Sequence, residues 1–122
     1  MTILVVDDEQ DVESLFRQRF RREVKDGKIE LTFAFTGAAA LEAFEARGAD
    51  GFDFILVDLN MPDANGLDLL KEFKARSAGQ VFIVTGFGDS ENQKKAHAAG
   101  CDCYLTKPVD FEDLRQRFGV SE

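Results

Sequence analysis

Four short clusters carry the residue types that phosphoryl chemistry needs. Asp7-Asp8-Glu9 follow the run Ile3-Leu4-Val5-Val6, and Asp58 follows Phe54-Ile55-Leu56-Val57. Thr85-Gly86 follow Val81-Phe82-Ile83-Val84, and Lys107-Pro108 follow Asp102-Cys103-Tyr104-Leu105-Thr106. Gathered at one place, Asp7, Asp8 and Asp58 would repel one another by several kcal/mol at intermediate dielectric, on the order of the Coulomb energy at ~4 Å. A divalent cation relieves that repulsion. An oxygen-only donor set without His or Cys suits a hard ion, and Mg²⁺ typically takes one or two carboxylates, waters and a phosphate oxygen. The Thr85 hydroxyl and the Lys107 ammonium, with the metal, would then surround the oxygens of a phosphoryl group. Asp58 supplies the nucleophile, because a carboxylate can take a phosphoryl group as an acyl phosphate.

Each residue also has a plainer reading. Asp7, Asp8 and Glu9 are equally explained as first-turn acids favoured by a helix dipole. Thr85 by itself is an ordinary strand end, and Lys107 by itself a solvated amine. Asp58 is different, since a carboxylate closing a fully apolar strand is seldom buried without a partner. The functional reading rests on convergence, which in turn depends on the fold.

Apolar runs alternating with helical periodicity are the mark of βαβ units and a parallel sheet covered on both faces. The runs at 3–6, 54–57 and 81–84 are continuously apolar, as central strands require. Ile29–Thr36 alternates large apolar with polar or small residues, so it belongs at one edge, and the mixed run 102–106 belongs at the other. The predicted fold is α/β, a flavodoxin-like doubly wound (βα)5 unit with a five-stranded parallel sheet in the order 2-1-3-4-5. In such sheets the ligand crevice lies beyond the carboxyl ends of the strands, which is where all four clusters fall.

The covering helices are predicted from apolar stripes: Val12, Leu15, Phe16, Phe20 and Val24; Ala40, Leu41 and Phe44; Leu69, Leu70 and Phe73. Ser90 and Gln93 have capping-box spacing ahead of a helix with Ala96 and Ala99, and Asp110 can cap a last helix with Phe111, Leu114 and Phe118 inward.

The chain has 122 residues and is read as one domain, 1–122, without an output domain. Its formal net charge of −8 argues against direct nucleic-acid contact and against anionic lipid. No apolar run exceeds four residues, far short of the ~20 that span a bilayer. Met1-Thr2 offers no basic start for a signal peptide, so the expected location is cytoplasmic. Cys101 and Cys103 are expected to be free thiols that pack on a shared side, and His97 is expected to be solvated.

Leu4-Val5-Val6-Asp7-Asp8-Glu9, Val57-Asp58-Leu59-Asn60-Met61-Pro62 with Gly66, Val84-Thr85-Gly86 and Tyr104-Leu105-Thr106-Lys107-Pro108 occur in that order along the whole chain. In this the sequence resembles the receiver domain of two-component response regulators. The resemblance implies a phosphorylation-dependent switch: Asp58 as phosphoacceptor, Mg²⁺ held by Asp7, Asp8, Asp58 and the backbone carbonyl of Asn60, and Thr85, Gly86 and Lys107 around the phosphoryl oxygens. It also implies a cis Lys107–Pro108 bond that aims the ammonium inward, and a switch in which Thr85 moves toward the phosphoryl group while Tyr104 turns in. From the residues alone, Tyr104 is a half-buried packing residue on an edge strand. The implied partners are a histidine kinase or histidine phosphotransfer protein and a downstream protein target, with the domain a monomer or a phosphorylation-dependent dimer. Gln10, Glu13, Arg17 and Arg21 are candidates for the kinase contact.

Two features depart from the family pattern. The last helix, roughly 110–118, is short, and Phe87 places a bulky apolar residue where water would reach an acyl phosphate, which predicts slow self-dephosphorylation. Three alternatives remain: a receiver-fold interaction module acting without phosphorylation, a small Mg²⁺-dependent aspartyl-phosphate phosphohydrolase, and a flavodoxin-like electron carrier. Asn60 stands where a phosphohydrolase of the haloacid dehalogenase type has a second Asp, and Asp7-Asp8-Glu9 would repel FMN phosphate.

Overall fold

The computed structural model describes residues 1–48, 50–62, 65–76, 79–86 and 90–120. Five parallel strands, β1 (Thr2–Val6), β2 (Glu30–Ala34), β3 (Phe54–Asp58), β4 (Gln80–Thr85) and β5 (Cys103–Thr106), form one sheet in the order β2-β1-β3-β4-β5. The helices are α1 (Asp11–Arg19), α2 (Arg21–Lys25), α3 (Gly37–Arg47), α4 (Gly66–Arg76), α5 (Ser90–Ala98) and α6 (Phe111–Phe118). This is the doubly wound α/β fold that the apolar runs predict. The continuously apolar strands are the central ones, and β1, β3 and β4 are buried almost throughout.

Strand periodicity divides the core in two. Leu4, Val6, Ile55, Val57, Val81 and Ile83 face one way, toward Phe44 of α3, Leu70 and Phe73 of α4 and Ala96 of α5. Their neighbours Ile3, Val5, Phe54, Leu56, Phe82 and Val84 face the other, where Phe16, Phe20, Phe111, Leu114 and Phe118 cover them. Because side chains alternate across a pleated strand, each central strand feeds both cores and carries little that is polar. Helix ends follow local chemistry. The Thr36 hydroxyl accepts from the Ala39 N–H at 3.0 Å to start α3, and the Asp110 carboxylate accepts from the Glu112 and Asp113 N–H groups to start α6. Gly119, at φ 77°, ends α6 in the left-handed conformation that glycine adopts without strain.

The structure corrects several expectations. The first stripe is not one helix: Phe20 leaves helical geometry (φ −107°, ψ 19°) and separates α1 from α2. The turn that follows is rotated, so Glu23 is buried and Val24 is exposed. Glu23 is held there by Arg115 of α6, whose Nε lies 3.1 Å from Glu23 Oε2. Leu15 is also exposed, because it borders an open groove rather than the sheet. α5 begins at Ser90, which the capping-box spacing places just ahead of the helix. Cys101 and Cys103 are free thiols but do not share a side. Cys101 lies in the turn before β5, outside the strand's alternation, and packs on the α5 side, whereas Cys103 belongs to the opposite core. His97 is exposed, as expected, with Nδ1 3.7 Å from Cys101 Sγ.

Candidate functional site

The carboxyl ends of β1, β3, β4 and β5 meet at one edge of the sheet, and each delivers a polar side chain there. β3 and β4 run one residue past their apolar runs, so Asp58 and Thr85 are the last residues of strands and inherit their rigidity. Asp7, Asp58 and Thr85 are buried, at 6%, 4% and 0% exposure, while Asp8 is exposed. Asp7 and Asp58 are anchored alike: Asp7 Oδ1 accepts from the Glu9 N–H and Asp58 Oδ1 from the Asn60 N–H, both at 2.9 Å. These turns leave the second oxygen of each carboxylate for another partner.

That partner is Lys107. Its Nζ lies 3.0 Å from Asp7 Oδ2 and 3.3 Å from Asp58 Oδ2, with Glu9 Oε1 at 3.4 Å. The Lys107 N–H donates to the Thr85 carbonyl at 2.7 Å, which ties the β5 end to β4, and the Lys107–Pro108 peptide is cis. Thr85 Oγ1 accepts from Asn60 Nδ2 at 2.9 Å. Gly86 has open space beside it, for a Cβ built there meets nothing within 4 Å. Tyr104 is half-buried on β5, its ring centroid 6.4 Å from that of His97.

The electrostatics follow from this crowding. Burial pushes the Asp58 carboxyl above its ordinary range and the Asp7 charge adds to that, while the Asn60 N–H and Lys107 pull it back only in part. Burial works to discharge Lys107, but the hydrogen bond to Asp7 and the charges of Asp58, Asp7 and Glu9 outweigh it and raise its pKa. The ammonium is therefore firmly charged.

Asp7, Asp8 and Asp58 each offer a carboxylate oxygen, all within 4.8 Å of one another. Two buried acids and an exposed one with oxygen-only chemistry fit a hard divalent cation open to solvent on one side. Beside them runs a groove of about 520 Å³ between α1 and the segment after β5, bordered by Val12, Leu15, Phe16, Pro108, Val109 and Phe111.

All eight site residues that the sequence singles out lie at the carboxyl ends of the strands or on β5; Asp7, Asp58, Asn60, Thr85 and Lys107 are joined by the hydrogen bonds and ion pairs above, and Asp8 lies within 4.8 Å of Asp7 and Asp58. Phe87 lies outside the described residues. Two participants escape the sequence reading. The Glu9 carboxylate reaches Lys107, a role that the acidic triplet hinted at. The Asn60 side chain reaches Thr85, and no local signal announces it, because the contact joins the loop after β3 to the end of β4, 25 residues away.

A five-stranded sheet in this order, with three acids, a hydroxyl and a lysine at its carboxyl edge, is the architecture of a receiver domain. The sequence model of the response regulator receiver domain matches residues 3–119, and the chain belongs to that family. The sensory transduction protein RegX3 of Mycobacterium tuberculosis is 32% identical over 116 residues, which cover 95% of this chain and 48% of that protein. This chain spans about half or less of the length of the curated relatives it matches. A receiver domain protein from Clostridium thermocellum superposes with a TM-score of 0.83 at 29% identity, covering 97% of this chain and 90% of the other. A response regulator from Burkholderia pseudomallei, solved with a phosphorylated aspartic acid, a calcium ion and citrate, gives a TM-score of 0.73 at 26% identity, covering 93% and 63%. Among the described residues, no helix is long and apolar enough to cross a membrane.

Proposed function

We propose that this receiver domain is a phosphorylation-dependent switch in which Asp58 accepts a phosphoryl group from a phosphohistidine of a kinase or phosphotransfer protein, with Mg²⁺ held by Asp7, Asp8, Asp58 and the Asn60 carbonyl. The observation that carries this reading is Lys107 Nζ lodged between the buried carboxylates of Asp7 and Asp58. A charged amine there can follow the developing phosphoryl charge without reorganising. The phosphorylated aspartic acid and calcium ion of the Burkholderia relative agree with it.

In this reading the Asn60 N–H fixes Asp58 Oδ1, so the carboxylate meets the donor in one orientation. The carboxylate oxygen bonds to phosphorus as the P–N bond breaks, and the electron pair stays on the imidazole. Lys107 then pairs with the phosphoryl oxygens. Thr85, fully buried beside them, donates its hydroxyl. Bound Mg²⁺ would neutralise the acids and the incoming phosphoryl charge. The shift of Thr85 and an inward turn of Tyr104 would alter the α5–β5–α6 face, which a downstream protein reads. The domain is then a phosphoacceptor, its own phosphorylation and hydrolysis being its only chemistry.

The test is intact-protein mass spectrometry after incubation with acetyl phosphate, with and without Mg²⁺, beside Asp58→Asn. The expected result is one base-labile, Mg²⁺-dependent phosphoryl adduct that Asp58→Asn lacks. A folded protein that binds Mg²⁺ yet forms no adduct would instead be a constitutive binding module.

A further inference from the structure

Asn60 touches the site in more than one way. Its backbone N–H orients Asp58, and its carboxamide Nδ2 donates to Thr85 Oγ1 at 2.9 Å. The second contact plays no part in the mechanism above. A carboxamide nitrogen only donates, so it must engage a lone pair of the Thr85 oxygen. Thr85 is β-branched and fully buried, which leaves few χ1 settings for it to occupy. A bond to its oxygen from the neighbouring loop therefore favours one setting over the others.

The switch asks Thr85 to carry that oxygen toward a phosphoryl group on Asp58. Such a move either breaks the bond from Asn60 or drags the Asn60 loop, which also carries the N–H on Asp58 Oδ1. Both courses oppose the transition. We propose that the Asn60 carboxamide is a latch that holds Thr85 in its unphosphorylated setting and raises the threshold for switching. Asn60 is thus a positioning residue that acts through the Thr85 hydroxyl, a role that rests on Asp58 being the phosphoryl site.

The consequence is specific. Removal of the carboxamide makes the switched state easier to reach, but only while residue 85 has a hydroxyl to be held. Asn60 is exposed on the loop after β3, so truncating it leaves the core untouched.

The experiment is a beryllofluoride titration of the full chain in saturating Mg²⁺. Occupancy is read from the fluorine NMR signal of the protein-bound phosphoryl mimic, which reports binding whether or not Tyr104 moves. Asn60→Ala is expected to lower the half-saturating concentration about fivefold, the scale of one neutral hydrogen bond. Asn60→Ala should give the same gain in a Thr85→Ser background, which keeps the hydroxyl, and no gain in Thr85→Ala. Unchanged or weakened binding in Asn60→Ala overturns the latch, as does a gain of equal size in the Thr85→Ala background. In either case the switch reading stands, because the parent chain has bound the mimic. If the parent chain itself binds no beryllofluoride, the switch reading fails and the latch falls with it.

Discussion

Asp58 pays for its readiness in stability. Burial and the nearby Asp7 raise its pKa above the ordinary 3.8, despite the Asn60 N–H and Lys107. A carboxyl raised in this way supports the fold only while protonated: its contribution is complete below 3.8 and is lost as pH rises through the folded value. At pH 7, well above the ordinary 3.8 at which the unfolded carboxyl ionises, the group therefore works against folding. Asp58→Asn, which removes the charge but keeps the shape, should be more stable than the parent at pH 7, and the gain should shrink to nothing in acid, where Asp58 is protonated folded and unfolded. Urea midpoints at the two pH values measure this, and equal midpoints at pH 7 would contradict it. Gly66 constrains the same acid sterically. A Cβ there would lie 2.7 Å from Leu59 Cα and 2.9 Å from the Asp58 carbonyl oxygen, both backbone atoms that cannot swing aside. Gly66→Ala should cost about 1–3 kcal/mol, the range of overpacking, and should weaken Mg²⁺ binding by displacing the loop that holds Asp58.

At the scale of elements, the break at Phe20 is the feature that a stripe of apolar residues does not foresee. Counting every third or fourth residue carries the stripe from Phe16 through Phe20 to Val24, yet the structure buries Glu23 instead. The reason lies 92 residues away: Arg115 of α6 pairs with Glu23 and also donates to the Arg19 carbonyl, which ties the last helix to the first two. Arg115→Ala would leave Glu23 buried without its cation, and a loss of about 3 kcal/mol is expected in chemical denaturation. The double variant Glu23→Leu/Arg115→Met should recover most of that, since two apolar side chains of similar size remove the stranded charge. A double variant as unstable as Arg115→Ala would show that the pair contributes more than its mutual compensation. α6 itself is legible from sequence, because Asp110 carries the cap and Phe111, Leu114 and Phe118 the stripe within one short segment.

At the scale of the whole molecule, the acids sit at the ends of β1 and β3, strands of the sheet's own centre, so a cation held there would be linked to global unfolding. A cation that binds the folded chain alone stabilises it by about 1.4 kcal/mol at ten times its dissociation constant. Thermal melts should show a midpoint several degrees higher in Mg²⁺ than in a chelator, with the difference lost in Asp8→Ala. A midpoint that ignores Mg²⁺ would remove Asp7, Asp8 and Asp58 as cation ligands.

The strand order and the identity of the site acids follow from the sequence because their causes are local and repetitive. A strand buried on both faces must be apolar along its length, so β1, β3 and β4 announce themselves, and the polar residue that ends each run marks the sheet edge where ligands bind. Cap and stop residues place helix ends for the same reason, since each satisfies backbone groups within a few positions. The tertiary structure decided what depends on two segments distant in sequence. Which carboxylate oxygens Lys107 meets, whether Glu23 or Val24 turns inward, which side each cysteine takes, and that the Asn60 carboxamide grips Thr85 are all pair properties. Their energies exist only once the fold has brought the partners within hydrogen-bonding or packing distance, and no periodicity along the chain encodes them.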